Sequence, residues 1–589
     1  MKNEWEFEWV NLKEFENERK LNEKAHDDFV LKWKERKDYL ENVEILKEAL
    51  DDYERLQRNY AGGGKEGYYY WLKQELNEND LDIRAKYNIV EEFVKVQSNK
   101  LNFFHINLGK ISKEKQEEFL ENNLLIKYRN FLKETFLNAK YMLSEKEEEI
   151  MSLKSTAAYS MWVRMVSSLL AKETRSIEID GKKEEKNHSE LLSLMKGKNK
   201  ELRDSASLAF EEILSKYGDV AEAELNAILQ NHKVNDKIRG FKRVDSSRLV
   251  GDGIDEQFVD DLIKAVSSRF DISNKFYELK TKLFKQEKLG YYERAAAYGN
   301  IDKKYSWEES KKLIEKAFGN LDGKFLEIFE KFLEEKRIDV FPKTGKRQGA
   351  CCIHTSIELP TYILLNHTGN LDDVTTIAHE AGHGINNELM REKQNSLSFG
   401  TPMATAEVAS TFMEDFVLEE ILKDTDGEEK LTILMQKLDS DISTIMRQIS
   451  CYLFEKEIHE TFRKEGYLSK DKIGEIFKRI MGNYMGNFVD TSSCDNWWIY
   501  WPHIREFFYV YSYASGLLIS KTMQEKYFED NNFIEKIKEF LSTGTSKTPR
   551  KAFEAMGIEL DVEFWNKGLD RIEKLLNETW ALAEKLGKI

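Results

Sequence analysis

The residues His379-Glu380-Ala381-Gly382-His383, within TTIAHEAGHGINNEL, carry the densest chemistry in this chain. On a helix, positions 379 and 383 stand four apart and share one face. Two neutral imidazoles at that spacing reach a single Zn²⁺. Glu380 is placed to take a proton from a water and later hand it to a leaving amine. A metal is needed because bulk water is a poor nucleophile at neutral pH. Coordination lowers its pKa to about 7 and polarises the carbonyl under attack. Ten histidines in 589 residues give H-E-x-x-H a chance expectation on the order of a few per cent. The bland alternative is a surface helix with two accidental histidines. Against it, Val374, Ile377, Ala378, Ala381 and Ile385 are apolar or small, so the helix reads as buried, and buried imidazoles require partners.

A catalytic zinc takes three protein ligands and leaves one position open. The pattern H-E-x-x-H-x-x-G-x-x-H fails, because Asn386 replaces its glycine and Leu389 its third histidine. A carboxylate from a following helix is the other common solution, and TPMATAEVASTFMEDFVLEEIL offers Glu407. Its neighbours Ala404, Ala406, Val408 and Ala409 are small or apolar, where an unpaired carboxylate is costly. The alternative partner for it is a buried arginine. Glu414, seven residues on, shares that helical face and is the candidate to orient a ligand histidine. Glu388 lies too close to His383 on the same helix to be the better ligand. His354 and His367 read as supporting or core residues. His26, His105, His188 and His232 lie in helical surroundings and take no catalytic part.

The elements that position these residues are mostly helices. All five prolines (Pro342, Pro360, Pro402, Pro502, Pro549) lie past residue 341, and the proline-free remainder is rich in Glu, Lys, Leu and Ala. Leu40, Val43, Leu46, Leu50 and Tyr53 recur at helical spacing. AGGGKEGYYYW at 61–71 lacks the full phosphate-loop pattern and reads as a flexible helix connection. Ser144 with Glu147 and Ser306 with Glu309 form capping boxes, and Asn370 caps the H-E-x-x-H helix with Asp373 as partner. RSIEIDGKKEE at 175–185 reads as a hairpin turning at Asp180-Gly181. Two short strands are expected near 349–356 and 361–366. A free strand edge there could hold a peptide as an added strand, although an ordinary buried sheet has the same pattern.

A net charge of −16 argues against nucleic-acid binding. No apolar run approaches a membrane span. The start MKNEWEFEWVNLKEFEN is acidic without an apolar signal core, so a cytoplasmic chain is expected. Cys351, Cys352, Cys451 and Cys494 show no paired zinc spacing and read as reduced thiols, the adjacent pair within a strand.

With these residues assembled, the chain resembles the oligoendopeptidase F family, relatives of thimet oligopeptidase. GKRQGA, ELPTYILLNHTGNLDDVTTIAHEAGHGI, ATAEVAST and WPHIREFFYVYSYASGLL look like that family's blocks in that family's order. The resemblance implies a mainly α, two-lobed zincin-like metallopeptidase with a small β-sheet beside the zinc helix, a deep substrate channel and one Zn²⁺ per chain. It implies internal cleavage of oligopeptides, with His379, His383 and Glu407 as ligands and Glu380 as acid and base. It also gives His503 and a tyrosine the task of steadying the oxyanion. Tyr511 is the first choice and Tyr509 the second; on a helix Tyr509 and Tyr513 share a face and Tyr511 points elsewhere. The expected division is a helical N-terminal lobe over 1–200 and a zinc metallopeptidase catalytic domain over 201–589. A carboxypeptidase and a catalytically silent peptide-binding protein on the same scaffold are the alternatives.

Overall fold

A computed structural model describes residues 4–589; the first three residues of the acidic N-terminal stretch lie outside the described residues. The fold is mostly helical, with a few small sheets. Helices begin where their caps are written. Ser144 with Glu147, Ser306 with Glu309 and Asn370 with Asp373 all form capping boxes. The hairpin pairs Thr174–Ile179 with Lys182–Asn187, antiparallel. Its turn residues Asp180 and Gly181 sit at φ 51° and 76°, the left-handed pair that a two-residue hairpin requires.

The chain forms two compact units, each built from three segments. One takes the residues up to Lys140, Asp302–Asp424 and Lys526–Glu559; the other takes Tyr141–Ile301, Thr425–Glu525 and Leu560–Ile589. Residue 200, the expected boundary, falls inside the second unit. The units are assembled from distant segments, so composition along the chain carries no mark of where they separate.

Within the first unit, the stretch 61–71 departs from the expected flexible connection. Helix Val43–Tyr60 ends, Gly62, Gly63 and Gly64 take positive φ, and a new helix runs Gly64–Leu76. The break is only three residues long because glycine enters left-handed conformations without steric cost. Tyr68 then lies fully buried, its hydroxyl 2.8 Å from the carbonyls of both Ile353 and Pro360. Trp5 donates from its indole to Ile363 O at 2.8 Å. These contacts fasten a three-stranded sheet. Tyr362–Leu364 lies in its centre, antiparallel to Cys351–Ile353 and parallel to Ile338–Asp339. Two of the strands fall inside the expected ranges, shortened to three residues each; Ile338–Asp339, two residues long, has no sequence signal.

Candidate metal centre

The H-E-x-x-H helix spans Leu371–Lys393 and buries Val374, Ile377, Ala378, Ala381 and Ile385, the apolar face that its sequence implies. The following helix, Val408–Lys423, has Glu407 as its N-terminal cap residue, after a short turn Met403–Thr405 that begins beyond Pro402. The two helices touch backbone to backbone at Gly382. A Cβ placed there would stand 2.6 Å from Ala409 O and 2.7 Å from Ser410 Cα, separations that real Cβ atoms do not show. The next turn needs the same freedom, since a Cβ on Gly384 would meet the Phe332 ring at 2.8 Å.

This approach carries Glu407 to the imidazoles. Its Oε2 lies 3.3 Å from His379 Nε2 and 3.5 Å from His383 Nε2, and one donor atom from each of the three residues lies within 4.8 Å of the others. A tetrahedral cation with bonds of about 2.0–2.1 Å requires ligand atoms roughly 3.3–3.4 Å apart. The carboxylate–imidazole separations match that value, so the three residues could hold a metal ion. Glu414 Oε2 stands 3.3 Å from His379 Nδ1, which leaves Nε2 directed at Glu407. Ser410 Oγ donates to Glu407 Oε2 at 2.9 Å.

The electrostatics favour a cation at this point. Burial opposes charge on His379, yet hydrogen bonds to Glu407 and Glu414 outweigh it and hold its pKa up at about 10. Burial also works against the Glu407 carboxylate, and the two imidazoles overcome it, so its pKa is lowered. A proton here occupies the place that a divalent ion would take between the same donors. Glu380 is buried, and burial raises its pKa against the pull of His379 and His383. Its carboxylate accepts the backbone N–H of Cys352, from the edge strand Cys351–Ile353.

The other histidines divide as follows. His354 Nδ1 accepts from Asn387 Nδ2 at 3.1 Å, and burial followed by the charge of Arg391 lowers its pKa to about 4. His367 is buried against Ser310 Oγ at 3.0 Å. His26, His105, His188 and His232 each meet a local partner.

The block around His503 belongs to the second unit. Arg505 is buried in a two-bond pair with Glu224 and also donates to the Trp498 and Trp501 carbonyls. Beyond it, Phe507 and Phe508 take φ of 40° and 61°, a left-handed pair that bulky side chains rarely adopt. The Phe508 N–H is held at 3.0 Å by Glu455, a fully buried carboxyl whose second oxygen has no partner and whose pKa burial pushes up to about 8. His503, Tyr509 and Tyr513 are half-buried and form a three-ring cluster, with centroids 5.5–5.9 Å apart and a hydrogen bond between His503 Nδ1 and the Tyr509 hydroxyl. Tyr511 faces away. It is fully buried, and its hydroxyl donates to Asp252 at 2.6 Å. The first choice among the tyrosines therefore has its only donor already engaged, as expected of a side chain on the opposite face from its neighbours.

Gly382 and Glu455 are the contributors that sequence reasoning passed over. A glycine inside an apolar helix is a readable signal for close approach. The role of Glu455 has none, since a glutamate on a helix is ordinary until its burial is seen.

The comparisons with known proteins follow the same lines. The sequence pattern of peptidase family M3 matches residues 193–564, and that of oligopeptidase F matches 107–172. The chain belongs to peptidase family M3, a family of peptidases, and its resemblance to oligoendopeptidase F is borne out. An oligoendopeptidase F homolog from Borreliella burgdorferi is 27% identical over 533 residues, covering 88% of each chain. The plasmid-borne oligoendopeptidase F of Lactococcus lactis subsp. cremoris is 26% identical over 527 residues, 86% of each. Among solved structures, one assigned to a peptidase from Chlamydophila abortus shares the fold at TM-score 0.85 and 24% identity, over 99% of this chain and 98% of the other. Oligoendopeptidase-F from Enterococcus faecium does so at TM-score 0.69 and 18% identity, over 97% and 98%.

Two predictions come from this geometry. Gly382→Ala forces the two helices apart and should weaken metal retention on the order of tenfold or more, since it acts on ligand placement much as loss of a supporting partner does. Metal content after dialysis measures it, with Gly323→Ala, which meets nothing within 4 Å, as the control that should retain metal. The second concerns Glu455. Its folded pKa of about 8 lies above the ordinary 4.5, so the folded state holds the extra proton and stability falls as pH rises between those values. Glu455→Gln removes that penalty. Its thermal midpoint should exceed that of the unaltered chain at pH 9, and the excess should vanish toward pH 5.

Proposed function

We propose that the chain is a zinc-dependent endopeptidase that hydrolyses internal bonds of short oligopeptides. The observation that carries this reading is the convergence of His379, His383 and Glu407, with the Glu380 carboxyl alongside, in a member of a peptidase family. Zinc held by these three residues would polarise the scissile carbonyl and lower the pKa of a water to about 7. Glu380 takes the proton from the attacking water and delivers it to the leaving amine. Its raised pKa suits both halves of that task, because a base that is too weak cannot accept and an acid that is too strong cannot retain. The backbone N–H of Cys352 favours its charged form, against burial. Glu414 fixes the His379 ring through Nδ1, so that Nε2 is the coordinating atom. The edge strand Cys351–Ile353 pairs on one side only, and an extended peptide laid along it as an added strand would lie beside Glu380.

His503 and a tyrosine steady the oxyanion in this reading. Burial, and then the charge of Arg447, lower the His503 pKa to about 4, so the ring is neutral at pH 7. With the Tyr509 hydroxyl donating to Nδ1, the proton sits on Nε2 and is free to be donated. Among the tyrosines the role passes from Tyr511 to Tyr509 or Tyr513, whose rings share the His503 cluster. The four cysteines are all free, in keeping with a reducing compartment, and we place the enzyme in the cytoplasm. Among the described residues no helix is long and apolar enough to cross a membrane.

Glu380→Gln should keep zinc and the fold while turnover of a quenched peptide falls by roughly 10²–10⁴, the range for loss of a general base. Near-normal turnover would refute the role. Glu407→Ala should instead lose zinc on dialysis, and stoichiometric metal would mean a different third ligand. Removing the hydroxyl of Tyr513 or Tyr509 with phenylalanine should depress kcat more than KM. Tyr511→Phe should act mainly on the thermal midpoint, because its hydroxyl serves Asp252.

A further inference from the structure

Among the described residues of the second unit, Arg447 lacks a counter-charge and, unlike Arg294, which donates to the Tyr291 carbonyl and the Tyr500 hydroxyl, has no hydrogen-bond partner in its place. Arg203, Arg243, Arg269, Arg463 and Arg505 each meet a carboxylate. Arg447 meets none. Among the described residues it has neither an ion pair nor a hydrogen bond, and its Nε is buried without an acceptor. Arg447 is itself half-buried. Stripping a guanidinium of water without supplying an acceptor is costly, so such a group is retained where something else provides the anion.

Its surroundings hold it in one orientation. Arg447 closes a single π-helical turn, Ser443–Arg447, that interrupts an otherwise regular helix, a distortion frequent at functional sites. The guanidinium lies over the Trp501 ring, 4.2 Å from its centroid, and that ring stands 5.9 Å from His503. Stacking uses the flat face of the guanidinium. The N–H groups along its edge stay available, and their fork matches the two oxygens of a carboxylate.

We infer that Arg447 binds a carboxylate of the peptide substrate beside His503. The inference rests on the reading that the chain handles peptides and that His503 takes part. A peptide carries such a group at its C-terminus or on an Asp or Glu side chain, and both present the same planar pair of oxygens.

Matched quenched peptides test it. One pair differs only in a C-terminal acid or amide; a second, amidated throughout, carries Glu or Gln at internal positions. The unaltered enzyme should prefer the carboxylate member of one pair by about tenfold or more in kcat/KM, the range for a charge-assisted hydrogen bond. Arg447→Met should bring that ratio close to one, and Arg447→Lys should restore part of it. The pair that responds identifies the source of the carboxylate. If neither pair shows a preference, or if Arg447→Met keeps the ratio, the inference is overturned. Fluorescence anisotropy of the same peptides with Glu380→Gln separates this from failure of the hydrolase reading. Arg447-dependent preference in binding, with no cleavage by the unaltered chain, leaves the carboxylate site standing and removes the peptidase. Cleavage without the preference does the reverse.

Discussion

The closeness of two helix backbones at Gly382 is the constraint on which the rest of the site depends. The imidazoles of His379 and His383 belong to one helix and are ordered by its pitch alone. Glu407 belongs to the next, and it reaches them only because no Cβ stands between Gly382 and the Ala409–Ser410 backbone. A shift of an ångström in that packing is large against ligand bonds of about 2 Å.

Around this contact the ordinary preferences of buried groups are turned to use. Isolated in a protein interior, an imidazole prefers to be neutral and a carboxylate prefers its proton. Here His379 and Glu407 do the opposite, each sustained by the other, so the cluster is arranged for a positive charge before any ion arrives. Glu380 follows the usual rule: burial raises its pKa, and the opposing pull of His379, His383 and the Cys352 amide does not overcome it. One helix therefore carries neighbouring groups with opposed protonation tendencies, the condition under which separate ligand and proton-transfer roles coexist.

The block 501–513 shows a different economy. Two aromatic residues in left-handed conformation cost of order 1–3 kcal/mol each and persist only where the surroundings over-determine them. The surroundings here are specific: Glu455 on the Phe508 amide, Glu224 on Arg505, and the Tyr159 hydroxyl on the Arg505 carbonyl. The result sets Tyr509 and Tyr513 beside His503 while Tyr511 turns into the core.

Much of this was legible from residue order. The H-E-x-x-H spacing, the capping boxes at 144, 306 and 370, the Asp180-Gly181 turn and the mainly helical class are all local, governed by periodicity and by backbone preferences of single residues. Glu407 was reachable because an isolated acid among small residues demands a partner, and Glu414 because it follows seven residues later on the same helical face. The composition of the two units was not legible, since each gathers three distant segments and no linker marks the crossings. Nor was the Ile338–Asp339 strand, too short to leave a pattern, or the use of Tyr68 to pin the sheet from nearly 300 residues away. The choice among three tyrosines two residues apart, and the want of a partner for Arg447, were decided only by tertiary structure. Which way a side chain faces, and whether an anion stands opposite, depend on segments that sequence distance does not relate.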